Sequence, residues 1–304
     1  MANQIATHPM NIIRLDSERG VKRLIRKLCC SALFIVSFYF LGSAITMHYF
    51  LSSIVFKEIE QVPTNESLLH IVEVDGDELF IRQYGNTSIV RCAIFFPGQH
   101  GGIRRYEHEI FKEVLENDIS VFALSYPGYE GAKGSATFES IKSTTFKALE
   151  FINDNTGCKI RNAVFIGRSL GASIALASAT TFKPKGLLLD SISPSLAIVI
   201  REKLTKNIFL RTLNILPIED IVEFDMYIDN QFINLSDVPI VIFQGDLDTL
   251  TPYDRVHEAV IDYNNIQLIR VLNGTHRNTH ILAGQMYIDK LKNLVFANFP
   301  NRAE

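Results

Sequence analysis

The 304-residue sequence predicts an α/β fold: a mostly parallel central sheet with helices on both faces, a short helical insertion and an N-terminal transmembrane helix. Three observations carry this. From about residue 70 onward, short apolar β-prone runs alternate with amphipathic helical stripes. Residues 28–56 contain no formally charged side chain. Between a β-prone run and a small-residue helix stands Gly167-Arg168-Ser169-Leu170-Gly171, a G-x-S-x-G turn.

The length suits one sizeable domain plus an appendage. Hydrophobic residues make up 47% and charged residues 21%, ordinary for a globular enzyme, while a mean hydropathy of +0.13 implies extra apolar material. A formal net charge of −3 does not point to nucleic acid. The charge is uneven: residues 1–27 carry net +4, and residues 57–304 carry 24 Lys/Arg against 31 Asp/Glu, net −7. The four Cys show neither metal spacing nor disulfide-framework density. Cys92 reads as an inert buried thiol rather than a partner of Cys158, and Cys29 and Cys30 as small apolar residues at the membrane edge.

Residues 1–27 form a basic tail ending in Arg14, Arg19, Lys22, Arg23, Arg26 and Lys27. Residues 28–56 exceed the roughly 20 apolar residues that span a bilayer. The basic flank precedes the span, so the tail is expected in the cytoplasm and residues 57–304 across the membrane, periplasmic in a bacterium and lumenal or extracellular in a eukaryote. A cleaved signal peptide ending near Gly42-Ser43-Ala44 is the competing reading. The long leader and the continuation of the apolar run favour an uncleaved signal anchor.

A linker over 57–68 leads to two strand-like runs around Asp75-Gly76-Asp77, a hairpin signal. A strand over 89–96 ends in Phe96-Pro97-Gly98-Gln99. A helical stripe follows over 103–115, then a strand over 119–124 and the loop Ser125-Tyr126-Pro127-Gly128-Tyr129. A second amphipathic helix, marked by Phe138, Ile141, Phe146, Leu149 and Ile152, precedes the strand 162–166 and the helix from Leu170. Strands are expected over 186–189, 238–244 and 266–272, and a single closing helix over 279–299. Residues 194–237 interrupt the alternation with Ile/Leu-rich helical sequence, expected as a lid.

In the G-x-S-x-G turn, the sharp strand-to-helix reversal would lift the Ser169 hydroxyl above the sheet, and the glycines supply the room. Serine needs a base to take its proton, and the base needs an orienting acid. Such groups sit at the carboxyl ends of strands. Two stretches qualify, Gly245-Asp246-Leu247-Asp248-Thr249-Leu250-Thr251-Pro252 and Asn273-Gly274-Thr275-His276. Of His276 and His280, the strand-end position favours His276, with His280 an early-helix surface residue. The two are four apart and could suggest a metal, but no third ligand is evident.

The order Ser…Asp…His, with the F-P-G-Q, Y-P-G-Y, G-D-x-D-x-x-x-P and G-T-H loops, resembles the α/β-hydrolase superfamily, and within it the membrane-anchored, single-pass serine hydrolases with a G-R-S-L-G elbow. The resemblance covers about residues 70–300. It implies Ser169 as nucleophile, His276 as base and Asp248 as the orienting acid, with Asp246 structural and Asp190 an alternative acid. It also implies an oxyanion hole from the backbone N–H groups of Leu170 and Gln99. Relatives carry a His-Gly-Asn-type loop where this chain has Pro97-Gly98-Gln99. Ser125 and Pro127 replace the Asp and Arg of a commoner D-Y-R-G-Y-G loop, which bears on subfamily and substrate.

The expectation is a serine esterase or thioesterase without metal or cofactor, acting on an ester or acyl substrate, with membrane lipid or acyl-protein suggested by the tether and lid. A linker of some 12 residues reaches about 40 Å at ~3.5 Å each. The rivals are a serine peptidase on the same fold and a non-catalytic binding relative.

Overall fold

The computed structural model describes residues 10–56, 61–86, 91–99, 102–208, 210–221 and 228–297. The chain divides into two compact units, Met1–Tyr49 and Phe50–Glu304. Helix α1 runs Met10–Val55, and its stretch Val21–Tyr49 is long and apolar enough to cross a membrane. Leu33, Phe34, Ile35 and Phe38 are exposed along it, an apolar surface that water would not solvate.

The second unit is built on one eight-stranded sheet of order β1-β2-β4-β3-β5-β6-β7-β8. Strands β1 (Leu68–Val74), β2 (Asp77–Tyr84) and β4 (Ser120–Ser125) pair antiparallel. The remaining neighbours, among β4, β3 (Cys92–Phe96), β5 (Val164–Arg168), β6 (Gly186–Asp190), β7 (Ile240–Gly245) and β8 (Ile266–Val271), pair parallel. Asp75 and Gly76 both have positive φ, 53° and 89°, as a two-residue hairpin turn of matching twist requires.

Every residue of β3 to β7 is buried, as expected of parallel strands covered on both faces. Ala93 and Phe95, Val121 and Ala123, Val164 and Ile166, and Val241 and Phe243 join Tyr287, Leu291 and Leu294 of helix α11 (Gln285–Phe296) in one core cluster. Their alternate neighbours project to the opposite face, where α4 (Phe138–Asn155) packs on β1 and β2 and α5 (Leu170–Phe182) on β5 and β3. Thr137 and Ser140 form a capping box that starts α4.

Four expectations need correction. Cys92 and Cys158 form a disulfide across 66 residues, because the parallel β3–β5 pairing brings the start of β3 near the turn before β5. Strand β5 begins two residues late, since Ile160–Asn162 is a 3-10 turn. Beyond α9 (Tyr253–Val260), the closing helix is broken into α10 (Thr279–Ala283) and α11 at Gly284, whose φ is 48°. The helix after β3 contains a π-helical turn, Glu107–Phe111, between α2 (Arg104–Tyr106) and α3 (Lys112–Glu116).

Glu107 in that turn is fully buried. Its carboxylate accepts from Thr64 N at 2.9 Å, Thr64 Oγ1 at 3.0 Å, Asn65 N at 2.9 Å and Tyr84 Oη at 3.0 Å. Burial raises its pKa, but these donors outweigh burial and hold it below the usual carboxylate range.

The insertion contains α6 (Leu196–Lys206), a 3-10 turn (Arg211–Ile215), α7 (Ile218–Ile221) and α8 (Ile228–Phe232). Ser195 caps α6 by accepting from Ile198 N. Arg201 bonds Glu219 and the Asn214 carbonyl, fastening α6 to the turns that follow.

Candidate active site

The site lies at the carboxyl ends of β5, β7 and β8. Ser169 follows β5 directly and adopts φ 52° and ψ −121°, a strained conformation for any residue but glycine. Tertiary structure enforces it. Ser169 N donates to the Asp190 carbonyl at 2.8 Å, and Ser169 O accepts from Ala172 N at 2.9 Å. Both elbow glycines are sterically required. A Cβ on Gly167 would lie 2.5 Å from Ala172 Cα, and one on Gly171 would collide with the Phe96 carbonyl at the end of β3.

The structure brings Ser169, His276 and Asp248 into one hydrogen-bonded line. Ser169 Oγ lies 2.8 Å from His276 Nε2, and His276 Nδ1 lies 2.9 Å from Asp248 Oδ2. The two ring nitrogens therefore have separate partners, which suits a base that is a proton acceptor at Nε2 and a donor at Nδ1. His276 is partly open to solvent while the Asp248 side chain is sealed.

Asp248 is held by its own loop. Leu250 N and Thr251 N each donate to Oδ1 at 2.9 Å, and Thr251 Oγ1 donates to Oδ2 at 2.6 Å. Gln244, buried in β7, donates its side-chain amide to Thr251 O and Oγ1. Burial pushes the Asp248 pKa up. The His276 contact and the Thr251 donors overcome this, so the carboxyl sits below the usual range and is ionised at neutral pH.

The loop after β3 lies against Ser169. A Cβ on Gly98 would be 3.1 Å from Arg168 O and 3.3 Å from Ser169 Cβ. Tyr126 Oη donates to the Pro97 carbonyl at 3.2 Å, and Tyr129 Oη donates to the Gln99 carbonyl at 2.9 Å. The two tyrosines of Y-P-G-Y thus strap the loop that carries Gln99. Leu170 opens α5, where the first N–H groups lack intrahelical acceptors. Leu170 follows Ser169 in the chain, and Gln99 follows the Gly98 that approaches Ser169.

A second polar cluster packs behind the line, and sequence reasoning missed it. The Arg168 guanidinium donates to the His276 carbonyl. It also lies 3.3 Å from Asp190 Oδ2 in a buried ion pair. Asp190 in turn lies 3.2 Å from His280 Nδ1, and His280 Nε2 lies 2.9 Å from Glu109. His280 is therefore buried, not a surface residue: α10 packs against β7 and β8, and the imidazole sits between Asp190 and Glu109. Asp190 orients His280 and Arg168 rather than His276. Burial raises the Asp190 pKa, but His280, Arg168 and the Ser191 hydroxyl overcome it and keep the group below the usual range.

No protein-family sequence model matches the chain, and no curated protein sequence matches it. Solved structures do. An α/β hydrolase from Vibrio vulnificus superposes with a TM-score of 0.62 at 18% identity, covering 75% of this chain and 81% of that one. An esterase from Pyrococcus furiosus gives 0.62 at 15% identity, covering 78% and 97%. A thioesterase domain from the curacin biosynthetic pathway gives 0.55 at 13% identity, covering 75% and 100%. The sheet order, the strand ends that carry the site and these superpositions together establish that residues from β1 to α11 have the α/β-hydrolase fold.

Proposed function

We propose that the chain is a membrane-anchored serine hydrolase that cleaves a carboxylic ester or thioester through an acyl-enzyme. The observation that carries the reading is the continuous Ser169–His276–Asp248 line, 2.8 Å and 2.9 Å, with Ser169 on a strained strand-to-helix turn. Strain of this kind costs about 1–3 kcal/mol and clusters at active sites, where the surrounding structure holds it. Likeness to an esterase and a thioesterase supports the same chemistry.

In this mechanism Ser169 Oγ attacks the acyl carbon as its proton passes to His276 Nε2. Asp248 fixes the imidazole and stabilises its charged form. The oxyanion that forms accepts from the N–H groups of Leu170 and Gln99. Collapse breaks the bond to the alcohol or thiol, which leaves with the proton from His276. Water then attacks the acyl-Ser169 carbonyl, giving its proton to His276, and the acid departs as Ser169 recovers that proton. None of these steps calls for a metal or cofactor.

The α1 span is read as a signal anchor with the basic N-terminal tail in the cytoplasm and the hydrolase unit outside it. The buried Cys92–Cys158 disulfide supports that orientation, because such bonds persist in oxidising compartments. The membrane span close to the first strand and the Ile/Leu-rich insertion motivate a substrate with an apolar acyl chain, membrane lipid and acyl-protein included.

The test is labelling by a fluorophosphonate, which captures an activated serine. The native chain should label and Ser169→Ala should not. A folded native chain that stays unlabelled overturns the reading. Hydrolysis of short soluble esters with no activity on long-chain acyl substrates would overturn the lipid assignment alone.

A further inference from the structure

The last turn of α1 touches the loop proposed to supply an oxyanion donor. Val55, which ends the helix, and Phe56, which follows it, are 8% and 6% exposed, whereas most side chains over Val21–Tyr49 face solvent. The Phe56 ring packs edge-on against Phe138, the first residue of α4, with ring centroids 5.0 Å apart. The side-chain amide of Gln99 donates a hydrogen bond to the Val55 carbonyl. The final carbonyls of a helix have no intrahelical donor, so this bond satisfies a group that would otherwise need another partner.

The same contact constrains Gln99. Its main-chain carbonyl is held by Tyr129 Oη at 2.9 Å, and the Pro97 carbonyl two residues earlier is held by Tyr126 Oη at 3.2 Å. Between them stands Gly98, whose lack of a Cβ lets the loop approach Ser169. Glycine also leaves the Gly98–Gln99 peptide plane free to rotate unless its surroundings fix it. Fixing both the carbonyl and the side chain of Gln99 leaves its N–H little freedom. An oxyanion donor is effective only when preorganised, and a misplacement of about 1 Å can cost about 100-fold in rate.

We infer that the carboxyl-terminal turn of the N-terminal helix is a positioning element for the oxyanion loop: the Val55 carbonyl, acting through the Gln99 side chain, aims the Gln99 backbone N–H at the reacting carbonyl. Val55 and Phe56 are positioning residues and touch no reacting atom. The inference rests on the proposed hydrolase reading and deepens it, since it makes turnover depend on how the membrane anchor ends. It also gives the departure of this loop from a His-Gly-Asn pattern a physical meaning: glutamine is long enough to reach a main-chain acceptor outside the loop, and its backbone N–H remains available.

The experiment uses the full chain in detergent micelles, with p-nitrophenyl butyrate as substrate and a fluorophosphonate as a second probe. Gln99→Leu keeps the backbone N–H and removes the side-chain donor. Its kcat and labelling rate should fall about 10- to 100-fold with KM within about twofold. Phe56→Ala loosens the docked turn without altering the loop. It should lower kcat in the same direction by a smaller factor. The double variant should be no slower than Gln99→Leu, because both changes break one linkage.

Native kcat in Gln99→Leu overturns the inference, as does a loss in KM alone or a double variant whose losses multiply. Should Gln99→Leu fail to fold, Phe56→Ala decides: unchanged kcat overturns the inference and reduced kcat at native KM supports it. A native chain as inert as Ser169→Ala overturns the hydrolase reading itself, and the two failures are thereby told apart.

Discussion

The Arg168 guanidinium donates to the main-chain carbonyl of His276, so the residue before Ser169 is bonded to the loop that carries His276. The contact spans 108 positions of sequence and ties the end of β5 to the turn after β8. Arg168 is held in turn by Asp190, and Asp190 by its contacts with His280. The elbow and the base loop are therefore registered through a buried ionic cluster.

Arg168→Met should strand Asp190 in the interior and free the His276 loop. Removing one partner of a buried ion pair costs about 3–5 kcal/mol, so thermal denaturation should show a clear fall in Tm. The labelling rate of what remains folded should drop as well. A variant with native Tm and native labelling would show that the tie is idle.

Asp190→Asn and Asp248→Asn separate the two buried acids. Asp248→Asn should lower kcat about 10⁴-fold, as the base loses its orienting charge, with a smaller effect on Tm. Asp190→Asn should lower Tm and retain most of kcat. Steady-state kinetics and melting curves on the same preparations decide, and the reverse pattern would reassign the acid.

Ser169→Gly should abolish labelling and raise stability. At φ 52° a glycine pays no Cβ penalty, and relief of about 1 kcal/mol corresponds to a rise of about 2–4 °C for a domain of this size. Ser169→Ala keeps the Cβ and should melt below Ser169→Gly. Equal melting points would mean that the turn is unstrained.

Acid should destabilise the fold through its buried carboxylates. Asp190, Asp248 and Glu107 all have folded pKa values below the ordinary range. Each therefore contributes stability above its unfolded value, and that stability is lost as pH falls through the folded value. Tm should be flat near neutrality and fall steeply once pH drops below the usual carboxylate range. Glu107→Gln should flatten part of that fall, and an unchanged profile would remove Glu107 from the account.

Replacing both Cys92 and Cys158 by Ser should lower stability by about 4 kcal/mol on the loop-entropy account, given the 66-residue separation. Chemical denaturation of oxidised and double-serine chains measures it. Native protein should also show no reaction of these two thiols with maleimide until it is reduced and unfolded.

The alternation of strands and helices was legible because it is written locally. Runs such as Ile240–Phe243 and the stripe of α4 carry their own periodicity, and the elbow glycines sit within five residues of each other. The loops of Asp248 and His276 were legible because each follows a strand, whereas the choice of Asp248 over Asp246 rested on the family resemblance. Contacts made by topology were not legible. Cys92 meets Cys158, and Arg168 meets the His276 carbonyl, only once the strand order is known. His280 reads as a surface residue because a position early in a helix does not say what covers it. The break at Gly284 had a signal, a glycine inside an otherwise helical pattern, that periodicity alone overrode.

The Glu107 clamp fixes where the hydrolase unit begins. Thr64 and Asn65 precede the first strand, yet three of the four donors to that buried carboxylate come from them. A chain cut between 57 and 63 would keep those donors and a folded unit, but would lose Val55 and Phe56 and with them the proposed support of the Gln99 loop. One cut after Asn65 would leave a buried acid facing Tyr84 alone, and it should take up a proton or unfold. The segment before β1 thus carries two separate attachments, Val55 and Phe56 on the Gln99 loop and α4, and Thr64 and Asn65 on Glu107.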